Sequence, residues 1–235
     1  MILFAHRGAS LIAPENTLPA FEHAVKNKVQ GIELDVHLSK DGTVVVCHDD
    51  ELSRTSNMTG FLKDKTFSEI RNADAGSWFS EEYKNTKIPT LEEVLEICQK
   101  GILINIEIKN IPFFHTGIEQ KVIDLVKKFG FEENVIISSF DHLSLKTAQE
   151  IDPHISKGLL LSNRLVNLFD YIERSSLKIE SLHIPYTFAE EDFIQQAHRN
   201  GYKVFPFTVD DKETAEKLKK SGIDGLFTND IFLDF

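Results

Sequence analysis

The sequence predicts an α/β fold, a (β/α)8 barrel with a small insertion at about residues 49–87, after the second strand region. Three observations carry this reading. Short apolar runs alternate with amphipathic stretches along nearly the whole chain. The 235 residues suit one barrel domain spanning 1–235. No Gly-x-Gly-x-x-Gly turn follows the first apolar run, which removes the main signature of the doubly wound alternative.

The elements follow in order. Ile2 to Ala5 is a buried strand by its apolar run. A loop with Pro14 leads to a helix over Leu18–Lys28, with Asn16 or Thr17 as its cap and Leu18, Phe21, Ala24 and Val25 on one face. Gly31 to Val36 is the second strand. The turn Ser39-Lys40-Asp41-Gly42 joins it to another over Thr43–Cys47, so the two are expected to form a hairpin or meet at the rim. Residues 49–87 are irregular and too long for a plain connection, and are read as an insertion covering part of the site. Within them, Thr66 to Arg71 suits a short helix.

Thr90 and Glu93 have the spacing of a capping box for a helix over Leu91–Lys100, stopped by Gly101. Strands are then expected over 102–108, 135–139, 157–161, 181–184, 203–207 and 225–227. Between them lie helices over 118–129, from Asp141 to 150, 165–174, 190–200 and 212–220.

Composition bounds the function. The net charge of −11 argues against general nucleic-acid binding, which needs a basic footprint. No apolar run approaches the roughly 18 residues of a membrane span. The first residues are too short for a signal peptide before His6-Arg7-Gly8. Cys47 and Cys98 lie in no metal-ligand pattern, and two reduced thiols in a cytoplasmic protein are expected.

Polar residues in strands mark the site. Residues two apart share a strand face, so Glu33 and Asp35 face one way, and so do Asn105, Glu107 and Lys109. In a parallel barrel these would converge near the C-terminal mouth. Bare carboxylates packed together repel and desolvate badly, and a divalent cation resolves the conflict. All-oxygen ligation suits Mg²⁺ or Ca²⁺. The alternative is a buried ion-pair cluster with Arg7 and Lys109. His6 and His48 close two early strands and can exchange protons. Either alone would also suit a core or surface imidazole. Arg7 and Lys109 offer positive charge to an anionic group. The set describes phosphoryl transfer better than glycoside hydrolysis.

The ordered motifs His6-Arg7-Gly8, Pro14-Glu15-Asn16-Thr17, Glu33-Leu34-Asp35-Val36, His48-Asp49, Asn105-Ile106-Glu107-Ile108-Lys109 and Ser138-Ser139-Phe140 resemble those of the glycerophosphodiester phosphodiesterases. The resemblance implies hydrolysis of a glycerophosphodiester to glycerol 3-phosphate and an alcohol. It implies His6 and His48 as the acid/base pair, Glu33, Asp35 and Glu107 as metal ligands, and Arg7 and Lys109 on the phosphate.

Two motifs depart from the family. Phe207-Thr208-Val209-Asp210 replaces Trp-Thr-Val-Asn, keeping at Phe207 an apolar wall for the glycerol carbons but no indole N–H. Thr228-Asn229 replaces Thr-Asp, and neither departure is expected to touch the chemistry. Glu15 and Asn16 either orient the site or simply begin a helix. Ile111-Pro112-Phe113-Phe114, Pro185-Tyr186-Thr187-Phe188 and Phe207 make the mouth apolar, suiting helix and lid packing or a lysophospholipid acyl chain. The rival readings are a lysophospholipase D-type enzyme, a barrel phospholipase for other lipids, and a non-catalytic barrel that binds glycerol phosphates.

Overall fold

A computed structural model describes residues 1–98 and 100–234. Its strands are β1 (Ile2–Ala5), β2 (Gly31–Leu38), β3 (Val44–Val46), β4 (Leu103–Ile108), β5 (Val135–Ser139), β6 (Ser156–Leu160), β7 (Ser181–Pro185), β8 (Lys203–Phe207) and β9 (Gly225–Thr228). The order β8-β7-β6-β5-β4-β2-β1-β9 makes a nearly closed, parallel eight-stranded barrel, and β3 pairs antiparallel with β2 outside that ring. Backbone hydrogen bonds from Asp224 N to Val204 O (3.2 Å) and Val209 N to Phe227 O (2.9 Å) join the β8 and β9 segments.

The helices are α1 (Leu18–Lys26), α2 (Phe67–Ile70), α3 (Leu91–Ile97), α4 (Ile118–Phe129), α5 (His142–Ile151), α6 (Leu168–Ser175), α7 (Glu191–Arg199) and α8 (Lys212–Lys220). Most expected bounds hold within a residue or two. The first helix stops at Lys26 rather than Lys28, where Lys28 turns left-handed at φ 55°. Thr17 is its N-cap by position, but its hydroxyl donates to Pro14 O, so it caps no helix N–H. The capping box of Thr90 and Glu93 is present, yet α3 ends at Ile97 because Cys98 is extended. Residue 99 of the helix expected to reach Lys100 lies outside the described residues. The helix expected from 165 begins at Leu168, after a left-handed Asn167.

Strand parity sorts the side chains into layers. Ile32, Leu34 and Val36 of β2, with Ile104, Ile106 and Ile108 of β4, pack outward in the main core with apolar helix residues such as Leu91, Val122 and Ile123. Inside, Phe4, Ile136, Phe205 and Phe227 form a small cluster of their own toward the N-terminal ends of the strands. The Phe4 and Phe227 rings stack at 4.8 Å. Gly31 is needed beside them, because a Cβ there would lie 2.4 Å from the Phe4 ring.

The insertion has a core of its own. β3 alternates between two interiors: Val44 and Val46 join the main core, while Val45 joins Cys47, Leu52, Leu62 and Ile70 of the second cluster. Thr66 and Glu69 form a capping box on α2. Arg71 fastens this region to α3 through two bonds to Glu93, at 2.7 and 2.5 Å. Cys47 and Cys98 are both buried free thiols, pushed up to about 12 by burial. No described helix is long and apolar enough to cross a membrane.

Candidate active site

β2 and β4 are in parallel register, with Asp35 opposite Glu107 and Glu33 opposite Asn105. Both strands turn the same parity inward, so Glu33, Asp35 and Glu107 each bring one carboxylate oxygen within 4.8 Å of the others. All three are buried. Lys109 Nζ donates to Glu107 Oε1 at 2.6 Å and lies 3.4 Å from Asp35 Oδ1. Arg7 Nε lies 3.6 Å from Asp35 Oδ2, and the Arg7 backbone N–H donates to Glu33 Oε2 at 2.8 Å. Asn16 Nδ2 donates to Asp35 Oδ2 at 2.8 Å. Glu15 accepts from Arg7 at 2.7 Å. Glu15 and Asn16 therefore orient the site rather than merely opening the helix.

The ion-pair reading accounts for part of this cluster and leaves a remainder. Two fixed cations face three carboxylates, and Arg7 also serves Glu15. Burial would raise Asp35, but Lys109 and Arg7 outweigh it and hold the group well below the usual carboxylate range. Glu33 is pushed well above its ordinary value by burial, then by Asp35 and Glu107. Glu107 is pushed up to about 7 by burial, with Lys109 opposing and Asp35 adding. Crowded buried carboxylates whose ionisation burial and mutual repulsion oppose are a donor set that fits a hard divalent cation.

The two imidazoles are held differently. His48 Nδ1 donates to the Asp49 carboxylate at 2.6 Å. His6 Nδ1 lies 2.8 Å from Asn229 Oδ1, and its Nε2 lies 4.0 Å from Glu33 Oε2. Asn229 Nδ2 donates to Asp210 at 2.6 Å, and Ser10 donates to Asn229 Oδ1 at 2.8 Å. Because Asp210 accepts, the amide oxygen must face His6, so Nδ1 carries the proton and Nε2 the lone pair. Burial, then Arg7, lowers His6 to about 4. The expectation that the Thr228-Asn229 departure leaves the chemistry untouched is therefore corrected: Asn229 grips one of the two imidazoles.

Several groups escaped the sequence reading. His37 continues the inward parity of Glu33 and Asp35. Its Nε2 meets His48 O at 3.1 Å and its Nδ1 meets His115 Nε2 at 3.2 Å, bracing the segment that carries His48. Arg54, from the insertion, bonds Glu15 at 2.7 and 2.9 Å and also Asp49. His183 sits inside the barrel on β7, and only its place in an apolar run hinted at it.

Six of the ionisable groups line one cavity of 180 Å³ at the C-terminal ends of the strands. His6, Arg7, His48, Glu33, Glu107 and Lys109 face Phe140, Leu160, His183 and Phe207 across it. The Phe207 ring meets Phe140 edge-on at 6.1 Å. A second cavity of 460 Å³ shares Glu107, Lys109, Phe140 and Leu160 with the first and opens toward Ile111 and Leu165. Among the described residues, three buried side-chain polar atoms have no hydrogen-bond partner: Arg7 Nε, Asn105 Oδ1 and His183 Nδ1. Each belongs to a residue lining the smaller cavity.

A barrel with acidic, basic and imidazole groups gathered at the C-terminal ends of its strands has the layout of an α/β-barrel enzyme. Residues 6–233 match the Glycerophosphoryl diester phosphodiesterase family. A glycerophosphodiester phosphodiesterase of Caldanaerobacter subterraneus subsp. tengcongensis is 44% identical over 230 residues, 97% of this chain and 94% of that protein. One of Bacillus altitudinis is 38% identical over 229 residues, covering 97% and 94%. An Oleispira antarctica phosphodiesterase, solved in complex with its product sn-glycerol-3-phosphate, superposes with a TM-score of 0.87 at 33% identity over 97% of this chain and 93% of that one. The chain belongs to the glycerophosphoryl diester phosphodiesterase family, a family of hydrolases.

Proposed function

We propose that this chain hydrolyses glycerophosphodiesters, such as glycerophosphocholine or glycerophosphoethanolamine, to glycerol 3-phosphate and an alcohol. One observation carries the reading: a cluster of three carboxylates within 4.8 Å of one another puts two of them, Glu33 and Glu107, into the same cavity as two separately oriented imidazoles. Glu33, Asp35 and Glu107 would hold a divalent cation, Mg²⁺ or Ca²⁺. Such a cation supplies charge stabilisation on the phosphoryl oxygens. Arg7 and Lys109 hold the phosphate, and Phe207 walls the glycerol carbons.

His6, neutral and gripped by an amide, presents its Nε2 lone pair and removes the proton from the attacking oxygen. Burial lowers His48, while Asp35 and the hydrogen bond from its Nδ1 to the Asp49 carboxylate oppose that lowering; in this reading His48 protonates the departing alkoxide. The insertion at about 49–87 braces this arrangement through Arg54, and the whole chain acts as one unit.

A panel of diesters with glycerol 3-phosphate as readout, run with Mg²⁺, with Ca²⁺ and with excess chelator, tests the reading. Turnover with either ion and none with chelator is expected. Full activity in chelator would remove the cation, and no glycerol 3-phosphate from any diester would remove the reaction. The adjoining 460 Å³ cavity, with Ile111 and Leu165 at its edge, favours a second substrate, a lysophospholipid whose acyl chain lies there. Lysophosphatidylcholine in the same panel decides that point.

A further inference from the structure

Beneath the carboxylate cluster the barrel interior changes character. Asn105 lies two residues before Glu107 on β4, and its Nδ2 donates to Ser138 Oγ at 3.0 Å. His183 on β7 meets Ser181 Oγ at 2.9 Å through Nε2. Its ring fills the space left by Gly158, where a Cβ would lie 2.5 Å away. Phe227 and Phe205 flank it at 5.1 and 5.5 Å. Asn105 is 2% exposed and His183 0%, yet Asn105 Oδ1 and His183 Nδ1 find no protein partner. Buried polar atoms are rarely left so, and two such atoms on residues that line one cavity imply a group that arrives.

The chemistry of that group is narrow. Asn105 Oδ1 only accepts, because its amide nitrogen is spent on Ser138. His183 Nδ1 donates or accepts according to which way the Ser181 hydroxyl points. A hydroxyl both donates and accepts, so it satisfies either arrangement. A phosphate or carboxylate would face the Asn105 oxygen with no proton to offer. An ammonium would be desolvated among aromatic rings.

We propose that Asn105 and His183 form a hydroxyl-binding floor that recognises a free hydroxyl of the substrate's glycerol and so sets the preference for glycerol over simpler alcohols. The inference rests on the diester hydrolysis proposed above and adds a subsite to it. No bond is made or broken on this floor. It fixes the depth at which the phosphorus sits beside the imidazoles.

The test compares kcat/KM for glycerophosphocholine with that of two counterparts, each lacking one of the free glycerol hydroxyls. A site built to hydrogen-bond a hydroxyl discriminates strongly against its absence. The wild-type protein is expected to disfavour at least one counterpart by about tenfold or more. In Asn105→Leu and His183→Phe that ratio is expected to fall toward unity. A wild-type ratio near unity, or one that survives in folded variants, overturns the proposal and leaves the floor to a bound water.

Calorimetric titration of the wild-type protein with glycerol 3-phosphate and with the phosphate esters of the matching deoxy alcohols reads the floor without turnover or variants. Equal affinities likewise overturn the proposal. Absence of any diester turnover would count against the proposed reaction, and the titration would still decide the floor.

Discussion

The strands β1, β2 and β4 and the strands β5 to β8 close the same barrel but line it with different chemistry. The first group, with the turn after β3, supplies the ionisable groups that meet at the carboxylate cluster: His6, Arg7, Glu33, Asp35, His48, Glu107 and Lys109. The second supplies Ser138, Phe140, Leu160, His183 and Phe207, none carrying a fixed charge. One wall is suited to an anionic phosphoryl group and the other to uncharged parts of a ligand. Losses on the charged wall should appear in kcat, and losses on the neutral wall in binding and selectivity.

The sharpest break of that comparison is at the imidazoles. His6→Ala and His48→Ala should each lower turnover by at least about 10²-fold, the scale of general acid–base catalysis. Near-wild-type turnover in either removes that residue from the chemistry. Next, Gly158→Ala on the neutral wall drives a methyl into the His183 ring and should cost about 1–3 kcal/mol of stability, as overpacked cores do. An unchanged thermal midpoint would show that His183 moves freely. Phe207→Ala should raise KM for the diester about tenfold with little change in kcat, because it removes apolar contact rather than charge. A fall in kcat alone would put Phe207 on the charged side.

The smallest effect belongs to the strap between the insertion and the barrel. Arg54 is half-exposed, so Arg54→Ala should cost no more than about 1 kcal/mol. Burial would raise Glu15 and Asp49, but the Arg54 hydrogen bonds outweigh it and hold both below their usual range. Their contribution is thus complete above the ordinary carboxylate range and lost as pH falls through the lowered values. Denaturation of wild type and variant should converge in acid and separate toward neutrality. A gap that does not change with pH would show that the strap is not electrostatic.

The charged wall was legible in the sequence because its logic is local. Alternate residues in one strand share a face, so Glu33 with Asp35, and Glu107 with Lys109, could be assigned before any fold was known. The barrel was legible for the same reason, from helix and strand periods. What escaped depends on contacts between distant positions. His6 and Asn229 are separated by 223 residues, and no local pattern joins them. His37 and His115, 78 residues apart, meet only once the chain packs around β2. Arg54 reads as one more polar residue in an irregular stretch until its partners Glu15 and Asp49 are placed beside it.

The hydrogen bond between Asp210 and Asn229 has an evolutionary consequence. The motifs that this sequence resembles usually carry Asn at the first position and often Asp at the second, while here Asp210 and Asn229 stand in the exchanged order. Passing from one order to the other through single changes requires an intermediate with two acids in contact, which repel, or two amides, which lose the charge-assisted bond. The positions are therefore epistatically coupled, and substitutions there should drift in tandem.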